Sequence, residues 1–537
     1  MLTPLLLLTG LAATAPCESL KSLTLPNTRI ETVQLVPGGP FSAPSAGGGA
    51  PDAAGGGRAA GGGAAAAAGR GAPAPAAPAG GGGRGQGGPG GGAQAATVVP
   101  EYCRVSATLT PTSDSQIAIE VFLPSKEWNG KFQAIGNGGW AGTIQGYAGM
   151  ATALQEGYAT AATDTGHVGG NALFAIDHPE KLTDFAYRAV HEMTVKAKAF
   201  ISAYYGQAPR LSYWNGCSTG GRQGLMAAQR YPEDFDAILA GAPANYQTHL
   251  HSWDLAVAVP VLKNPDAAVP PAKLALLNRA VLEACDGRDG VKDGFLNDPR
   301  ACTFDVARLQ CKAGDAETCL TPAQVESVKR AYAPARTSSG EVVFPGKELG
   351  SETTWNAFLS NTQQAPGISV GSFQVAYNNR SWDAKTFEID RDLKVVDEKV
   401  GAIVNAVNPD LRAFKARGGK LLLYHGWNDT AISPGNSIDY YSSVLKKMGG
   451  RQDDFVRLFM APGMAHCQGG AGPSQVNWMA ALERWREAGT APDRIDAARV
   501  VNNRIEMSRP LCPYPQVAVY KGVGTTNDGS NFVCKAK

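Results

Sequence analysis

From Thr97 onward, apolar and polar residues follow the periods of folded secondary structure. Ala107–Leu123 alternates in the manner of antiparallel strands. Lys131–Ile135 is a short apolar run ending in Gly136-Asn137-Gly138-Gly139, a strand running into a tight glycine turn. Leu182–Tyr205 carries helical periodicity. Leu211–Trp214 reads as a short strand, with Thr219–Arg230 a helix directly after it. Ala237–Ala240, Lys420–His425 and Val456–Met460 are further buried strands. Strands alternating with helices predict an α/β fold with a mostly parallel sheet.

Two stretches break this rhythm. Between about Ser42 and Ala96 the chain collapses into Gly, Ala and Pro with occasional Arg, which leaves almost nothing to bury against the entropy of ordering it. The glycines flanking Ala64–Ala68 argue against a helix there. Between Asn245 and about Val400 the strand–helix alternation is lost and Asp, Gly and Pro are frequent. The expected organisation is a signal peptide at residues 1–15, an N-terminal segment at 16–43 and a disordered insertion at 44–96. Two halves of an α/β core, 97–244 and 401–537, then enclose a lid domain at 245–400.

The 537 residues are 44% hydrophobic, enough for a large core, and Lys plus Arg (49) nearly balance Asp plus Glu (47). No basic field exists to hold a nucleic-acid backbone, so nucleic acid is not an expected partner. The apolar run from Leu5 to Ala15 is too short to span a membrane. It reads instead as the core of a secretory signal with Ala13-Thr14-Ala15 as its cleavage pattern, atypical in that Met1–Pro4 carries no Lys or Arg. Ten cysteines point to disulfides and an oxidising compartment, secreted or periplasmic. Four of them (Cys285, Cys302, Cys311, Cys319) lie in the lid, where bridges suit a segment with little core of its own. Pro16 stands where a lipoprotein anchor would need a small residue, so Cys17 reads as a disulfide cysteine.

Gly216-Cys217-Ser218-Thr219-Gly220 fits G-x-S-x-G between a strand and a helix, the setting in which a sharp turn exposes a serine hydroxyl at a helix N-terminus. With 65 glycines in the chain the motif alone is weak; its strand–turn–helix context carries it. A serine hydroxyl is inert until a histidine takes its proton and a carboxylate holds that histidine. In α/β-hydrolases the partners follow in the order Ser, Asp, His. Of seven histidines, His167, His178 and His191 precede the serine, His249 and His251 open the lid, and His425 belongs to a strand. His466, in the loop after Val456–Met460, is the candidate base. Asp429, one short turn beyond Lys420–His425, is the candidate acid; Asp439 is less well placed, on the next helix. Cys217 precedes Ser218 and Cys467 follows His466. If serine and histidine touch, these cysteines come near disulfide range, about 4.4–6.8 Å between Cα atoms.

Gly216–Arg222 (Gly-Cys-Ser-Thr-Gly-Gly-Arg), Gly426–Asp429 (Gly-Trp-Asn-Asp) and Met464–Cys467 (Met-Ala-His-Cys) resemble the tannase and feruloyl esterase family, which includes mono(2-hydroxyethyl) terephthalate hydrolase. The resemblance runs from about Tyr102 to Cys534, apart from the glycine-rich insertion. It implies an α/β-hydrolase core with a large inserted lid, acting on esters of aromatic acids. It further implies a triad of Ser218, Asp429 and His466 and an oxyanion hole of backbone amides from Thr219 and from Gly138 or Gly139. The implied disulfides are Cys17–Cys103, Cys217–Cys467, Cys285–Cys302, Cys311–Cys319 and Cys512–Cys534.

In the lid, Asp286-Gly287-Arg288-Asp289-Gly290-Val291-Lys292-Asp293-Gly294-Phe295 sets three carboxylates among glycines, a loop able to wrap oxygens around a hard cation. It is not an EF-hand, since Arg288 and Asn297 stand where ligands would be. The resemblance implies a structural Ca²⁺ held by Asp286, Asp289 and Asp293 with backbone oxygens of Val291 and Phe295. His249-x-His251 is a weaker metal candidate and reads as ordinary loop chemistry. Trp355, Phe373, Tyr377, Arg380 and Trp382 are candidate walls for the acyl group. The expected function is therefore a secreted serine esterase cleaving a small aromatic ester. A peptidase on the same fold, or a binding protein with a dead hydrolase core, is the rival.

Overall fold

The computed structural model describes residues 14–44 and 97–536. The apolar core of the expected signal and nearly all of the glycine-rich insertion lie outside the described residues. The centre is a nine-stranded sheet of β1 (Thr28–Val36), β2 (Tyr102–Leu109), β3 (Ile117–Pro124), β4 (Lys131–Ile135), β5 (Ala159–Thr163), β6 (Leu211–Cys217), β7 (Ala237–Gly241), β8 (Lys420–Gly426) and β9 (Val456–Ala461). Their spatial order is β1-β2-β3-β5-β4-β6-β7-β8-β9. The strands from β5 through β9 run parallel; β1, β2 and β3 form an antiparallel edge. This is an α/β-hydrolase core.

The central strands are covered on both faces and are accordingly apolar throughout: β7 is buried over its whole length, and β8 buries Leu421–Gly426. Helices α1 (Tyr147–Gln155), α2 (Ala189–Tyr205) and α3 (Thr219–Arg230) follow β4, β5 and β6. The periodic stretch that reads as one helix from Leu182 is broken by a π-helical turn at Asp184–Arg188 before α2 begins. On α3 the face toward the sheet is glycine. A Cβ on Gly221 would sit 2.4 Å from the Gly241 carbonyl oxygen, and one on Gly224 would sit 2.6 Å from Trp214 Cδ1. The helix carrying the candidate nucleophile is thereby pressed onto β6 and β7.

Between β7 and β8 the chain is more helical than its sequence rhythm implies, with α4 (Gln247–Lys263), α5 (Pro271–Cys285), α6 (Pro322–Tyr332), α7 (Gly367–Ala376) and α8 (Ile389–Val396). Helix α4 is buried nearly all round, so it shows no amphipathic period. Its side chains join those of α5 and α6, with Phe344, Trp355 and Phe358, in a separate apolar cluster. Beyond β8, α9 (Gly435–Met448) and α10 (Trp478–Ala488) cover the sheet. Two short antiparallel pairs close the chain: β10 (Ile495–Val501) with β11 (Arg504–Leu511), and β12 (Val517–Tyr520) with β13 (Phe532–Lys535).

All ten cysteines are bridged, in the five pairs the resemblance implies. Among the described residues no helix is long and apolar enough to cross a membrane.

Replacing Gly221 by Ala is expected to force α3 off the sheet. Overpacking against backbone should cost about 1–3 kcal/mol, read as a lowered melting temperature; an unchanged transition would refute the close-approach account.

Candidate active site

Strand β6 ends at Cys217 and α3 begins at Thr219, leaving Ser218 to make the whole turn. It does so with φ 64° and ψ −124°, a left-handed conformation that costs a non-glycine residue on the order of 1–3 kcal/mol. The turn closes because its neighbours are small: a Cβ on Gly216 would lie 2.5 Å from the Gly220 carbonyl oxygen. Backbone hydrogen bonds hold it, from Ser218 N to Gly241 O (3.0 Å) and from Gly220 N to Asn137 O (2.7 Å). The serine side chain is half-buried at the N-terminus of α3.

Asp429 lies in the loop after β8, wholly buried. Its Oδ2 accepts from His466 Nδ1 at 2.7 Å and from His425 Nε2 at 3.0 Å, while Oδ1 accepts from the amides of Ala431 (2.9 Å) and Ile432 (3.0 Å). Burial works against the charge, but the positive charge of His466 and the bonds from both histidines outweigh it, holding the carboxyl well below the usual range. For His466, burial opposes the charged ring, and the charge and hydrogen bond of Asp429 prevail and raise its pKa. Because Nδ1 donates to the carboxylate, Nε2 is left to exchange a proton.

His425 is a partner the sequence reading passed over as a strand residue. Its Nε2 also lies 3.1 Å from Ile432 O, so two acceptors fix the proton on that nitrogen, and Nδ1 lies 2.7 Å from Ser437 Oγ. Cys217 and Cys467 are bridged with Cα atoms 6.0 Å apart, which brings the elbow and the His466 loop together. Cys467 also takes a positive φ, 64°. The Ser218 hydroxyl and His466 Nε2 make no hydrogen bond among the described residues, a looseness usual in sites without substrate.

The glycine turn after β4 is bolted to α3. Asn137 N donates to Gln223 Oε1 (3.1 Å), Gln223 Nε2 donates to Asn137 Oδ1 (3.1 Å), and Thr219 Oγ1 donates to Gly139 O (2.8 Å). The two candidate glycine amides are not equivalent. Gly138 N already donates to Gln145 Oε1 at 2.8 Å, so it is engaged, whereas the amides of Gly139 and of Thr219, the first residue of α3, have no protein acceptor among the described residues. Only a spatial neighbour, Gln145, separates the two glycines.

The expected walls divide differently. Trp355 and Phe373 are fully buried and pack inside the helical segment, Trp355 with its Nε1 donating to Ser351 Oγ and Phe373 stacked on Trp382 at 4.9 Å. They are core, not wall, because an aromatic residue satisfies either role in sequence. Tyr377 OH donates to Asp392 Oδ1 (2.5 Å). Arg380 is exposed and lines an open cavity of about 500 Å³ with His167, Phe174 and Lys181. From the inserted segment it is instead Ile368, at the start of α7, that approaches the glycine turn, its Cδ1 3.7 Å from where a Cβ on Gly139 would be.

His249 and His251 are buried on helix α4 rather than in a loop. His249 Nε2 meets Asp397 Oδ2 at 2.9 Å, and His251 Nδ1 meets Ser372 Oγ at 2.7 Å. Two positions apart on a helix they point to different neighbours, which removes them as joint metal ligands.

In the acidic loop, Asp286 accepts from the amides of Asp293 (3.3 Å) and Gly294 (3.0 Å), Asp289 from that of Val291 (3.0 Å), and Asp293 from Arg509 Nη2 (2.5 Å). Among the described residues no three acidic, imidazole or thiol side chains converge closely enough to hold a metal ion as they stand. The donor set is nonetheless all oxygen, which suits a hard cation in kind. Burial is the main cause that pushes the carboxyls of Asp289 and Asp293 up, with the like charge of Asp286 adding to it and Arg509 pulling Asp293 the other way.

Comparison with known proteins places the chain in a family. The family model described as tannase and feruloyl esterase matches residues 103–535. An uncharacterised esterase of Xanthomonas campestris pv. campestris is 34% identical, covering 98% of this chain and 92% of its own. A probable feruloyl esterase B-2 of Neosartorya fischeri is also 34% identical, over 82% of this chain and 88% of its own. The crystal structure of feruloyl esterase B from Aspergillus oryzae superposes with a TM-score of 0.83 at 30% identity, covering 97% of this chain and 99% of that one. The tannin acyl hydrolase of Aspergillus niger shares the fold, with a TM-score of 0.72 at 21% identity over 98% of this chain and 94% of that one. The chain belongs to the tannase and feruloyl esterase family and is a carboxylic ester hydrolase.

Proposed function

We propose that the protein is a secreted serine esterase that cleaves esters of aromatic acids, hydroxycinnamic, gallic or related benzoic, through an acyl-enzyme. The observation that carries the reading is the 2.7 Å hydrogen bond from His466 to a buried, charged Asp429, on a loop bridged by disulfide to the residue preceding Ser218. His466 Nε2 takes the Ser218 proton as Oγ attacks the ester carbonyl, and Asp429 steadies the imidazolium that forms. The oxyanion rests on the amides of Gly139 and Thr219, the pair left without acceptors. His466 then returns the proton to the departing alcohol. Water, activated by the same imidazole, releases the aromatic acid and restores the serine. The five disulfides support an oxidising destination.

The acidic loop would hold a Ca²⁺ ion through Asp286, Asp289, Asp293 and the carbonyls of Val291 and Phe295. When bound, the ion supplies charge neutralisation and loop order, with no part in the chemical steps.

Methyl ferulate or methyl gallate should be hydrolysed and a peptide of matched acyl group should not. Ser218→Ala should lose both hydrolysis and labelling by a fluorophosphonate. Ester turnover surviving in that variant would sink the triad, and peptide cleavage would favour the peptidase reading.

The pH profile follows from the raised His466 pKa. The base works only when neutral, so the acid limb of kcat/KM should lie above pH 6.5, the ordinary imidazole value. Asp429→Asn removes the charge that raises it. The limb should move to lower pH while kcat falls about 10⁴-fold; a limb that stays in place would exclude Asp429 as the partner.

Removing calcium with a chelator should lower the melting temperature, and added Ca²⁺ should restore it. At a hundredfold excess over Kd the gain is about 2.7 kcal/mol. Asp289→Asn should abolish the calcium-dependent shift; wild-type melting indifferent to chelator and calcium would refute the ion.

A further inference from the structure

The loop that carries Asp429 is gripped from the inserted helical segment. Ser433 Oγ donates to Gly346 O (2.5 Å), Asn428 Nδ2 donates to Gly350 O (2.8 Å), and the hydroxyls of Thr354 and Thr430 lie 3.0 Å apart. At the centre of this grip is a lysine. Lys347 is 3% exposed, and its Nζ donates to the carbonyl of Thr430, the residue after Asp429, at 2.7 Å.

A buried ammonium is costly unless something holds it charged. Two aromatic faces do part of that, with Nζ 3.8 Å from the Phe358 ring centroid and 4.3 Å from that of Trp253. No carboxylate is in ion-pair contact with it among the described residues. Asp254 on α4, also 3% exposed, is the carboxylate that acts most strongly on it; one oxygen accepts from Ser369 Oγ (2.6 Å) and the other, Oδ1, has no hydrogen-bond partner among the described residues. The other charge acting on it is Asp429, whose carboxylate in turn takes hydrogen bonds from His425 and His466. The chain neighbour Glu348 is turned to Arg300 at 2.8 Å. A lysine with no ion pair, buried among rings and spending its hydrogen bond on one carbonyl, is poorly explained by stability alone.

We propose that Lys347, in its charged form, is a positioning residue that holds the Asp429 loop, so that loss of its proton slackens the acid and lowers turnover. It touches neither substrate nor reacting atoms and acts through Thr430. The inference rests on the reading of Asp429 as the acid of the triad. Burial pulls the lysine below its ordinary value, against the charges of Asp254 and Asp429 that support its proton. An alkaline limb of kcat, separate from the acid limb set by His466, follows.

The test is kcat and KM for a methyl ester between pH 5 and pH 10 in wild type, Lys347→Met and Asp254→Asn. Wild type should lose turnover on the alkaline side. Lys347→Met should show kcat about tenfold lower or more, with KM little changed and that limb gone. Asp254→Asn keeps the lysine but removes the charge supporting its proton, so the alkaline limb should move to lower pH by ~1 unit. A purely structural role would lower melting temperature without moving that limb. Lys347→Met with wild-type kcat, or Asp254→Asn with an unmoved limb, overturns the proposal. Should Lys347→Met fail to fold, Asp254→Asn decides alone. Ester hydrolysis surviving in Ser218→Ala would mark failure of the triad reading itself, a different result from either.

Discussion

The covalent link between Cys217 and Cys467 is the constraint on which the site depends. It joins residues 250 positions apart, and in the chain-entropy account a closure of that size removes about 5 kcal/mol of freedom from the unfolded chain. Its local effect matters more. Ser218 and Cys467 both take positive φ, conformations that persist only where their surroundings enforce them. The elbow is enforced from below by Gly216 and Gly220 and from the side by the bridge. The histidine loop is enforced by the bridge on one side and by the His466–Asp429 bond on the other. Strained turns from two distant parts of the sequence thus meet across one pair of sulfurs.

The acid is held by a different principle. Asp429 has no exposure, yet every direction from its carboxylate is answered, by two imidazoles and two amides. A buried charge that is fully hydrogen-bonded stays ionised and stays still, which is what a partner for His466 requires. The loop is fastened in turn by the inserted segment through Gly346, Lys347, Gly350 and Thr354. The helices between β7 and β8 therefore complete the acid's surroundings, besides covering the glycine turn through Ile368.

Legibility in the sequence tracked how local the cause was. The β4 strand and the α3 helix could be bounded to the residue, because β4 runs into a glycine turn and α3 opens at the glycine-flanked elbow and stops before Tyr231-Pro232. The elbow, Asp429 and His466 were legible because chain order and flanking cysteines restrict the choice. Strand β5, Ala-Thr-Ala-Ala-Thr, left no mark, since small residues in a central strand carry neither alternation nor bulk. Helix α4 was hidden by being buried all round, with its His, Ser and Asp side chains paired internally. His425 and Lys347 were invisible as site residues for the same reason: their roles come from partners remote in sequence or across a turn. The aromatic residues of the insertion misled, because bulk and polarity do not separate Trp355 in a core from a wall.

The N-terminal edge shows why a long low-complexity stretch can sit inside such a fold. Strands β1 and β2 pair along their whole length, and Val36 is opposite Tyr102 where the connection between them leaves and returns. Just beyond, Gly39 pairs with Val99, and Cys17 is bridged to Cys103 on β2. The two ends of the connection are therefore held side by side by a ladder and a disulfide that do not depend on what lies between. Loop-closure entropy grows only logarithmically, about 0.6 kcal/mol for each doubling of length. An insertion placed at that neck costs the core little for each added residue, and a sequence of Gly, Ala and Pro has little apolar surface with which to compete for the core. The neck lies on the antiparallel edge of the sheet, several strands from the elbow at the end of β6.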